Sequence, residues 1–204
     1  MSKFTEYIGK QFGNPQGMIG TICCVIMNVM NQKMYRKIVS TTKIYPGEEI
    51  LDIGYGNGYL LKKLHKKYNV NMYGIDISED MKHKAIRKNK KALSENHLHL
   101  KVGDCCDLQF QDNLFSTVTS VNTIYFWNDT VKGLSEIRRV LKPGKSFYNV
   151  VYTKEFLEQL SYTKTGFQKF DKNKLIEAGI KAGFQHIEVQ EIVPQKSFMV
   201  IYTK

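Results

Sequence analysis

Three glycines at alternate positions carry the first chemical signal in the sequence. Gly54, Gly56 and Gly58 follow the short apolar run Glu49–Ile53 in a G-x-G-x-G spacing. Glycines at the end of a strand let the backbone approach a ligand closely and adopt positive φ. A dinucleotide-binding loop needs G-x-G-x-x-G, and Tyr59 stands where that third glycine would be. We interpret the segment as a nucleoside-cofactor loop, with a plain tight connection as the alternative.

Two carboxylates follow at the ends of later apolar runs. Asp76 lies 18 positions after Gly58, where a carboxylate can accept hydrogen bonds from both hydroxyls of a ribose. The alternative role for Asp76 is to cap the helix that begins near Ser78. Asp104 follows Gly103, where a carboxylate can accept a hydrogen bond from an adenine amino group; the alternative is a turn residue. Together these residues favour a nucleoside ligand.

Strand and helix patterns alternate around these residues. Apolar and β-branched runs predict the strands, and apolar residues at spacings of three and four predict the helices. The predicted strands are Glu49–Ile53, Asn71–Asp76, Leu98–Gly103, Phe115–Val121, Ser146–Tyr152, Phe184–Ile192 and Ser197–Tyr202. The predicted helices begin near Tyr59 and Ser78, or span Asn128–Leu141 and Asp171–Ala182. This order predicts a doubly wound α/β fold, with a mainly parallel sheet and an antiparallel pair at the end.

The N-terminal region contains one long helical pattern. Gly9–Gly17 is rich in glycine and is predicted to be irregular. Met18–Ser40 is predicted to form one helix with a continuous apolar stripe, whose members are Ile19, Ile22, Ile26, Met30, Met34 and Ile38. We expect this stripe to pack on another element, either in the core or as a lid over the cofactor cleft.

The ordered motifs resemble those of the class I S-adenosylmethionine (SAM) dependent methyltransferases. The resemblance covers roughly Glu48 to Tyr152 and rests on the segments Leu51–Gly58, Asp76, Gly103–Asp104 and Ile137–Gly144. The similarity is to the small-molecule branch, which includes ubiquinone and menaquinone methyltransferases. It implies a Rossmann-like sheet of seven strands with an antiparallel last strand, SAM as cofactor and S-adenosylhomocysteine as product.

The resemblance also implies a set of cofactor-binding residues. The methionine part would contact Asp52 and the loop that contains Gly54, Tyr55, Gly56 and Gly58. The ribose would contact Asp76 beside Ile77, the adenine Asp104 and Cys105, and the amino-acid end Asn122. Tyr125 and Trp127 follow the fourth strand beside the expected cleft, and we expect them to line a substrate pocket or, equally, to pack in the core.

Several features bear on the acceptor. The segment Val121–Trp127 lacks the N-P-P-Y arrangement typical of enzymes that methylate amino groups of bases. The net charge of +11 would suit an anionic partner such as RNA or a membrane surface, yet only four of the 30 basic residues are arginines, the side chain best suited to phosphate recognition. We therefore expect a small-molecule acceptor and no nucleic acid. An RNA or protein methyltransferase, a non-catalytic SAM-binding module and an NAD-dependent oxidoreductase remain as alternatives.

Length and cysteine content set the remaining expectations. The 204 residues predict a single domain, with a helical cap in residues 1–43 and a Rossmann-like core in residues 44–204. The four cysteines occur as two adjacent pairs without zinc-site spacing, which is typical of reduced thiols in the cytoplasm. The longest apolar run is too short to span a membrane. The five histidines are expected on helix or strand surfaces, and the sequence assigns no catalytic residue, metal site or oligomeric state.

Overall fold

The centre of the molecule is a seven-stranded sheet. The computed structural model describes residues 9, 11, 17–68 and 70–204. The strands, in chain order, are β1 Glu49–Ile53, β2 Asn71–Asp76, β3 Leu98–Val102, β4 Phe115–Val121, β5 Leu141–Tyr152, β6 His186–Val193 and β7 Ser197–Thr203. They lie in the order β3-β2-β1-β4-β5-β7-β6. Only β7 runs against its neighbours β5 and β6, so the predicted sheet, with its antiparallel last strand, is confirmed.

Helices precede the sheet and connect its strands. They are α1 Gly17–Met30, α2 Gln32–Thr41, α3 Tyr59–Lys67, α4 Glu79–Lys88, α5 Lys90–Ser94, α6 Thr130–Val140, α7 Lys154–Gln159 and α8 Lys172–Lys181. The predicted N-cap of α4 is confirmed, because the Ser78 side chain accepts a hydrogen bond from the Met81 amide at 3.4 Å. No helix in the described ranges is long and apolar enough to cross a membrane.

The strand order reverses between β1 and β4. From β1 the sheet extends through β2 to β3 on one side and through β4 to β5 on the other. Ligands of doubly wound folds bind beyond the carboxyl ends of the strands at this switch point. The β4 side chains from Phe115 to Ser120 are buried, as expected for a central parallel strand covered on both faces. This arrangement places the ends of β1 and β4 side by side.

The N-terminal helix prediction needs correction. Asn31 interrupts the predicted single helix, with φ −87° and ψ 4°, so that α1 and α2 are separate helices. In the predicted stripe, Met34 and Ile38 are buried, but Ile19, Ile22 and Ile26 are exposed. The stripe was wrong here because α1 carries no charged residue, so periodicity could not show which apolar side faces inward.

Smaller differences occur at element ends. β5 begins at Leu141, because Leu141 pairs with Phe115 before a shift in register, and the predicted strand begins only at Ser146. The short helices α5 and α7 were not predicted; their lengths of five and six residues give little periodic signal. In the predicted irregular segment, Gly9, Gln11 and Gly17 are helical, and the other positions lie outside the described residues.

Candidate active site

A cleft of about 240 Å³ lies at the switch point of the sheet. It is lined at the ends of β1, β2 and β4 by backbone and side chains that the sequence singles out. The predicted site residues that line it are Asp52, Gly54, Tyr55, Gly56, Asp76, Ile77, Asp104, Cys105, Asn122 and Trp127. Of the predicted residues, Gly58 and Tyr125 are not among those that line this cleft.

The glycine loop adopts the left-handed backbone that its spacing predicts. The φ angles of Gly54, Gly56 and Gly58 are 67°, 52° and 73°. A Cβ on Gly54 would collide with the Thr123 side chain, whereas one on Gly56 would meet no protein atom within 4 Å. Gly58 has a structural role, because it precedes α3 and its carbonyl accepts a hydrogen bond from Asn89 Nδ2 at 3.1 Å. Gly56, in contrast, has no protein atom near its missing Cβ, so it leaves open space where a ligand can approach.

Asp52 is a buried carboxyl group at the end of β1. Its Oδ1 accepts a hydrogen bond from Thr119 Oγ1 at 2.8 Å. Burial raises the pKa of Asp52 to about 7, and the nearby charge of Asp76 contributes to the rise against the opposing effect of the Thr119 bond. A cation that binds beside Asp52 would stabilise its charged form. The amino group of a bound amino acid is such a cation.

The Asp76 carboxylate joins the glycine loop to the end of β2. Its Oδ2 accepts a hydrogen bond from the Gly56 amide at 2.8 Å, and its Oδ1 accepts one from the Ser78 amide at 3.0 Å. Burial raises the pKa of Asp76, while these amide bonds oppose the rise. Each carboxylate oxygen has more than one acceptor position, so Asp76 can hold the loop and still accept hydrogen bonds from a ligand.

The far end of the cleft combines apolar and polar groups. Ile77 is 57% exposed although it lines the cleft, whereas Cys105, also in the lining, is buried. Asp104 Oδ1 accepts a hydrogen bond from the Cys106 amide at 2.8 Å, so the turn role that was the alternative for Asp104 is also present. Burial raises the pKa of Cys105, which keeps it a neutral thiol. A flat apolar ring with an amino group fits this environment.

The N-terminal helices cover one side of the cleft, with lining residues that sequence reasoning did not identify. These are Cys24, Met27, Asn28, Asn31 and Tyr35. The α1 residues that line the cleft recur at helical spacing, but so do the exposed isoleucines of the same helix. Spacing alone therefore could not show which side of α1 faces the cleft. The polar break at Asn31 was the available signal, because an asparagine within an apolar helix needs hydrogen-bond partners.

Four polar side chains form a hydrogen-bonded cluster beside the cleft: Asn31, Asn122, Tyr125 and Tyr152. Asn31 Oδ1 accepts bonds from Asn122 Nδ2 at 3.0 Å and from Tyr152 Oη at 2.8 Å. Asn122 Oδ1 accepts a bond from Tyr125 Oη at 3.0 Å. Asn122 has φ 57°, a left-handed conformation that Asn tolerates better than most residues. The cluster links α1 and α2 to the ends of β4 and β5.

A second cavity begins at this cluster. Its space is about 40 Å³, room for a few water molecules. Met27, Asn31, Asn122 and Phe126 line both this cavity and the cleft. The other residues that line the second cavity are Met30, Tyr125, Tyr152, Leu157, Leu160, Tyr162, Thr163 and Phe167. The two cavities therefore meet at one polar cluster, and the second is mainly apolar and aromatic.

The two predicted substrate-pocket aromatics are separated. Tyr125 lines the second cavity, and its ring centroid lies 6.0 Å from that of Phe167. Trp127 lines the cleft instead, where its Nε1 donates a hydrogen bond to Thr123 Oγ1 at 3.2 Å. The main-chain amide of Gln168 donates to the Tyr125 carbonyl at 3.0 Å, so the segment that carries Phe167 is fixed against the end of β4.

No histidine lines either cavity among the described residues. His83 and His186 are exposed, and His99 packs its ring against Tyr73 on the β2–β3 side of the sheet. His65 and His97 lie near Glu95, with His65 Nε2 3.2 Å from the Glu95 carboxylate. The two cavities therefore lack an imidazole base, and their polar side chains are carboxyl, amide, phenol, thiol and hydroxyl groups.

The sheet order, the positive-φ glycine loop and the carboxylates at the ends of β1 and β2 define a Rossmann-like nucleoside-cofactor site. Comparisons with known proteins agree with this class. Residues 51–149 match the family described as methyltransferase domain. The methyltransferase YdaC of Bacillus subtilis is 30% identical over 166 residues, which cover 81% of this chain and 87% of that protein.

Two further relatives carry named activities. Demethylmenaquinone methyltransferase of Symbiobacterium thermophilum is 34% identical over 61% of this chain and 51% of its own length. Phosphoethanolamine N-methyltransferase 2 of Haemonchus contortus, solved with phosphomonomethylethanolamine and S-adenosylhomocysteine, is 26% identical with a TM-score of 0.67. That match covers 81% of this chain and 40% of the other. This chain belongs to the class I SAM-dependent methyltransferases.

Proposed function

We propose that this enzyme methylates a small molecule whose apolar part binds in the second cavity and whose acceptor atom lies at the polar cluster. The observation that supports this proposal is the junction: Asn31 and Asn122 line both cavities. A methyl group bound at the inner end of the cleft would therefore lie beside the acceptor. The acceptors named for the relatives, a demethylmenaquinone and a phosphoethanolamine, are also small molecules.

The residues of the cleft fit SAM and would each hold one part of it. We propose that Asp52 and the loop Gly54–Gly58 hold the methionine part, Asp76 the ribose, and Ile77, Asp104 and Cys105 the adenine. The Asn122 side chain is already engaged with its neighbours, so we propose that it positions the amino-acid end from the cluster. Bound SAM supplies a methyl group on a sulfonium, which is reactive without protein chemistry.

The protein orients the acceptor relative to the methyl group and excludes water from the site. Burial raises the pKa of Tyr125 and of Tyr152, so both phenols are neutral and act as hydrogen-bond partners. The amides of Asn31 and Asn122 have no acid–base function. We propose that the acceptor reaches this site already nucleophilic and that catalysis comes from proximity and exclusion of water. No residue is assigned as a general base.

We also propose that residues 1–43, of which the structure describes 9, 11 and 17–43, form a helical cap on a core of residues 44–204. The α1 and α2 side chains that line the cleft support this division. The small space of the second cavity supports a cap that moves, because an acceptor larger than a few water molecules requires the lining residues to separate. The cysteines are free thiols, which supports a cytoplasmic location.

Methyl transfer from tritium-labelled SAM tests the acceptor class. The full chain would be incubated separately with a lipid extract, a polar metabolite extract, RNA and protein from a bacterium. We expect label in a small-molecule fraction, and none with an Asp76→Ala variant, which lacks the carboxylate at the ribose position. Label in RNA or protein alone would overturn the proposal. Binding of S-adenosylhomocysteine without labelled product in any fraction would instead indicate a non-catalytic SAM-binding module.

A further inference from the structure

The outer side of α1 is an apolar surface that contacts no other part of the described chain closely enough to be buried. We call it the α1 outer face and define it by the exposed side chains Ile19, Ile22, Val25, Ile26 and Val29. Their exposed fractions reach 59% for Ile22 and 68% for Val29. Spacings of three and four place all five on one side of the helix. Such a continuous apolar patch marks an interaction surface.

The opposite side of the same helix covers both cavities. Cys24, Met27 and Asn28 line the cofactor cleft, and Met27 also lines the second cavity. Cys23 and Cys24 are buried. Within the described ranges, α1 is therefore a single apolar layer between the cavities and the exterior. Whatever binds the α1 outer face lies one helix diameter from the acceptor site.

Basic groups border this apolar face. A shallow groove separates the start of α1 from α4, and its lining residues are Gly17, Thr21, Asp80, His83, Lys84, Ile86 and Arg87. The Lys84 Nζ atom is shielded from solvent and has no hydrogen-bond partner in the described structure. Arg87 is exposed. The acidic member, Asp80, accepts a hydrogen bond from the Gly17 amide at 3.3 Å, so its charge is directed at the start of α1.

We infer that the α1 outer face and the basic groove dock onto a lipid bilayer that contains anionic lipids. An apolar helix face enters the headgroup region of a bilayer, and flanking cations attract anionic lipids. The exposed Arg87 guanidinium matches a lipid phosphate in charge, the shielded Lys84 side chain adds to the positive potential of the groove, and the whole chain carries +11.

Membrane docking rests on the proposed function only in the role that we give to it, which is to supply acceptors to the enzyme. A bilayer beneath α1 would supply amphiphilic acceptors at the helix that covers the second cavity. Binding itself requires no turnover and no cofactor. Loss of methyl transfer with retained membrane binding would therefore count against the proposed function alone, and the reverse result against docking alone.

Co-sedimentation with vesicles tests the inference on the full chain. One set of vesicles contains phosphatidylcholine only, and the other contains in addition roughly one third phosphatidylglycerol. We expect binding to the anionic vesicles, weakened by raising the salt from about 0.05 to about 0.5 M because surface charges are then screened. The double variant Ile22→Ser/Val29→Ser should weaken the partition by about tenfold or more, since it removes two large aliphatic side chains from the membrane-facing surface.

Ile180→Ser is the matched control. Ile180 is 61% exposed on α8, and we expect this variant to bind vesicles like the unmodified chain. Unchanged affinity for S-adenosylhomocysteine would show that the α1 double variant is folded. Binding to neither vesicle type, or binding that the double variant retains, would overturn docking. A dimer in size-exclusion chromatography that the double variant converts to monomer, without vesicle binding, would assign the α1 outer face to a second copy instead.

Discussion

The cofactor cleft and the second cavity lie next to each other but are built in different ways. The cleft is formed mainly by short motifs that directly follow β1, β2, β3 and β4, and α1 and α2 cover one side of it. The second cavity draws on α1, the end of β5, and the segment from Leu157 to Phe167. A sheet fixes the positions of its strand ends, whereas the second cavity depends on how a separate helix and a long connection pack together.

This difference separates what is common to the family from what is particular to this chain. Backbone conformation and buried carboxylates shape the cleft, so few sequences can form it. Aromatic and aliphatic side chains shape the second cavity, and many combinations of them fill space equally well. We therefore expect substitutions in the cleft to change cofactor affinity and substitutions in the second cavity to change acceptor affinity.

Gly56→Ala should produce the largest change in cofactor affinity. The added Cβ points into open space at φ 52°, where it would hold the ligand away from the loop. We expect the affinity for S-adenosylhomocysteine, measured by isothermal titration, to fall about 50-fold, equivalent to the loss of roughly two net hydrogen bonds. Gly144→Ala is the matched control, because Gly144 also has positive φ, 71°, and open space around it.

Both substitutions introduce the same backbone strain, about 1–2 kcal/mol for an alanine in the left-handed conformation. Thermal unfolding should therefore show a similar loss of stability in the two variants. Gly144→Ala should keep its affinity for S-adenosylhomocysteine. Equal affinities in the two variants would mean that the loop does not approach the cofactor.

The pH dependence of cofactor affinity should be the second largest effect. The pKa of Asp52 is about 7 in the folded chain, so acid converts it to the neutral form, which attracts an ammonium group less strongly. If the charged form binds, affinity rises as the pH increases from about 6 to about 8, by at most about tenfold. Isothermal titration across this range measures the slope.

Asp52→Asn keeps the shape of the side chain and removes its titration. Its affinity for S-adenosylhomocysteine should stay nearly constant over the same pH range. The raised pKa also lowers the stability of the folded chain as the pH rises between about 4 and about 7, because the unfolded carboxyl group ionises first. A slope that persists in Asp52→Asn would assign the titration to another group in the cleft, such as Asp76.

Tyr125→Phe should have the smallest effect. It should change acceptor binding rather than cofactor binding. The Tyr125 hydroxyl bonds to Asn122 Oδ1 at 3.0 Å and to the Tyr152 amide at 2.5 Å. Its loss should cost about 1–2 kcal/mol of stability and raise the KM for the acceptor several-fold, without a change in affinity for S-adenosylhomocysteine. Steady-state kinetics with the identified acceptor separate these quantities.

Tyr202→Phe controls for the loss of stability alone. The buried Tyr202 hydroxyl donates to the Leu175 carbonyl at 3.1 Å, away from both cavities. It should destabilise the fold by a similar amount and leave KM unchanged. A KM that rises equally in both variants would remove Tyr125 from the acceptor site.

Most residues that the sequence singles out line the cleft, and there is a physical reason for this, although their roles in cofactor binding stay predictions. Gly54 and Gly56 are needed because of backbone angles and ligand approach, and Asp76 ends a strand at the same edge of the sheet. Such local requirements can be read without knowledge of tertiary packing. The seven-stranded sheet and its antiparallel last strand were also predicted, because the resemblance to a known family supplied what periodicity alone left open.

The second cavity and the role of α1 could not be predicted in the same way. An uncharged helix has no polar side to mark the surface, so Ile22 was expected to be buried and Cys24 was not expected at the cleft. Asn31 gains its importance from Asn122 and Tyr152, which are distant in sequence. Contacts of this kind depend on packing between elements, which local patterns do not encode.

A crystal structure with S-adenosylhomocysteine tests most directly whether the cofactor's reactive end meets the second cavity. We expect the ribose at Asp76, the adenine between Ile77 and Cys105, and the sulfur facing the cluster of Asn31 and Asn122. A cofactor bound in the cleft with its sulfur turned away from that cluster would contradict the assignment of the second cavity to the acceptor.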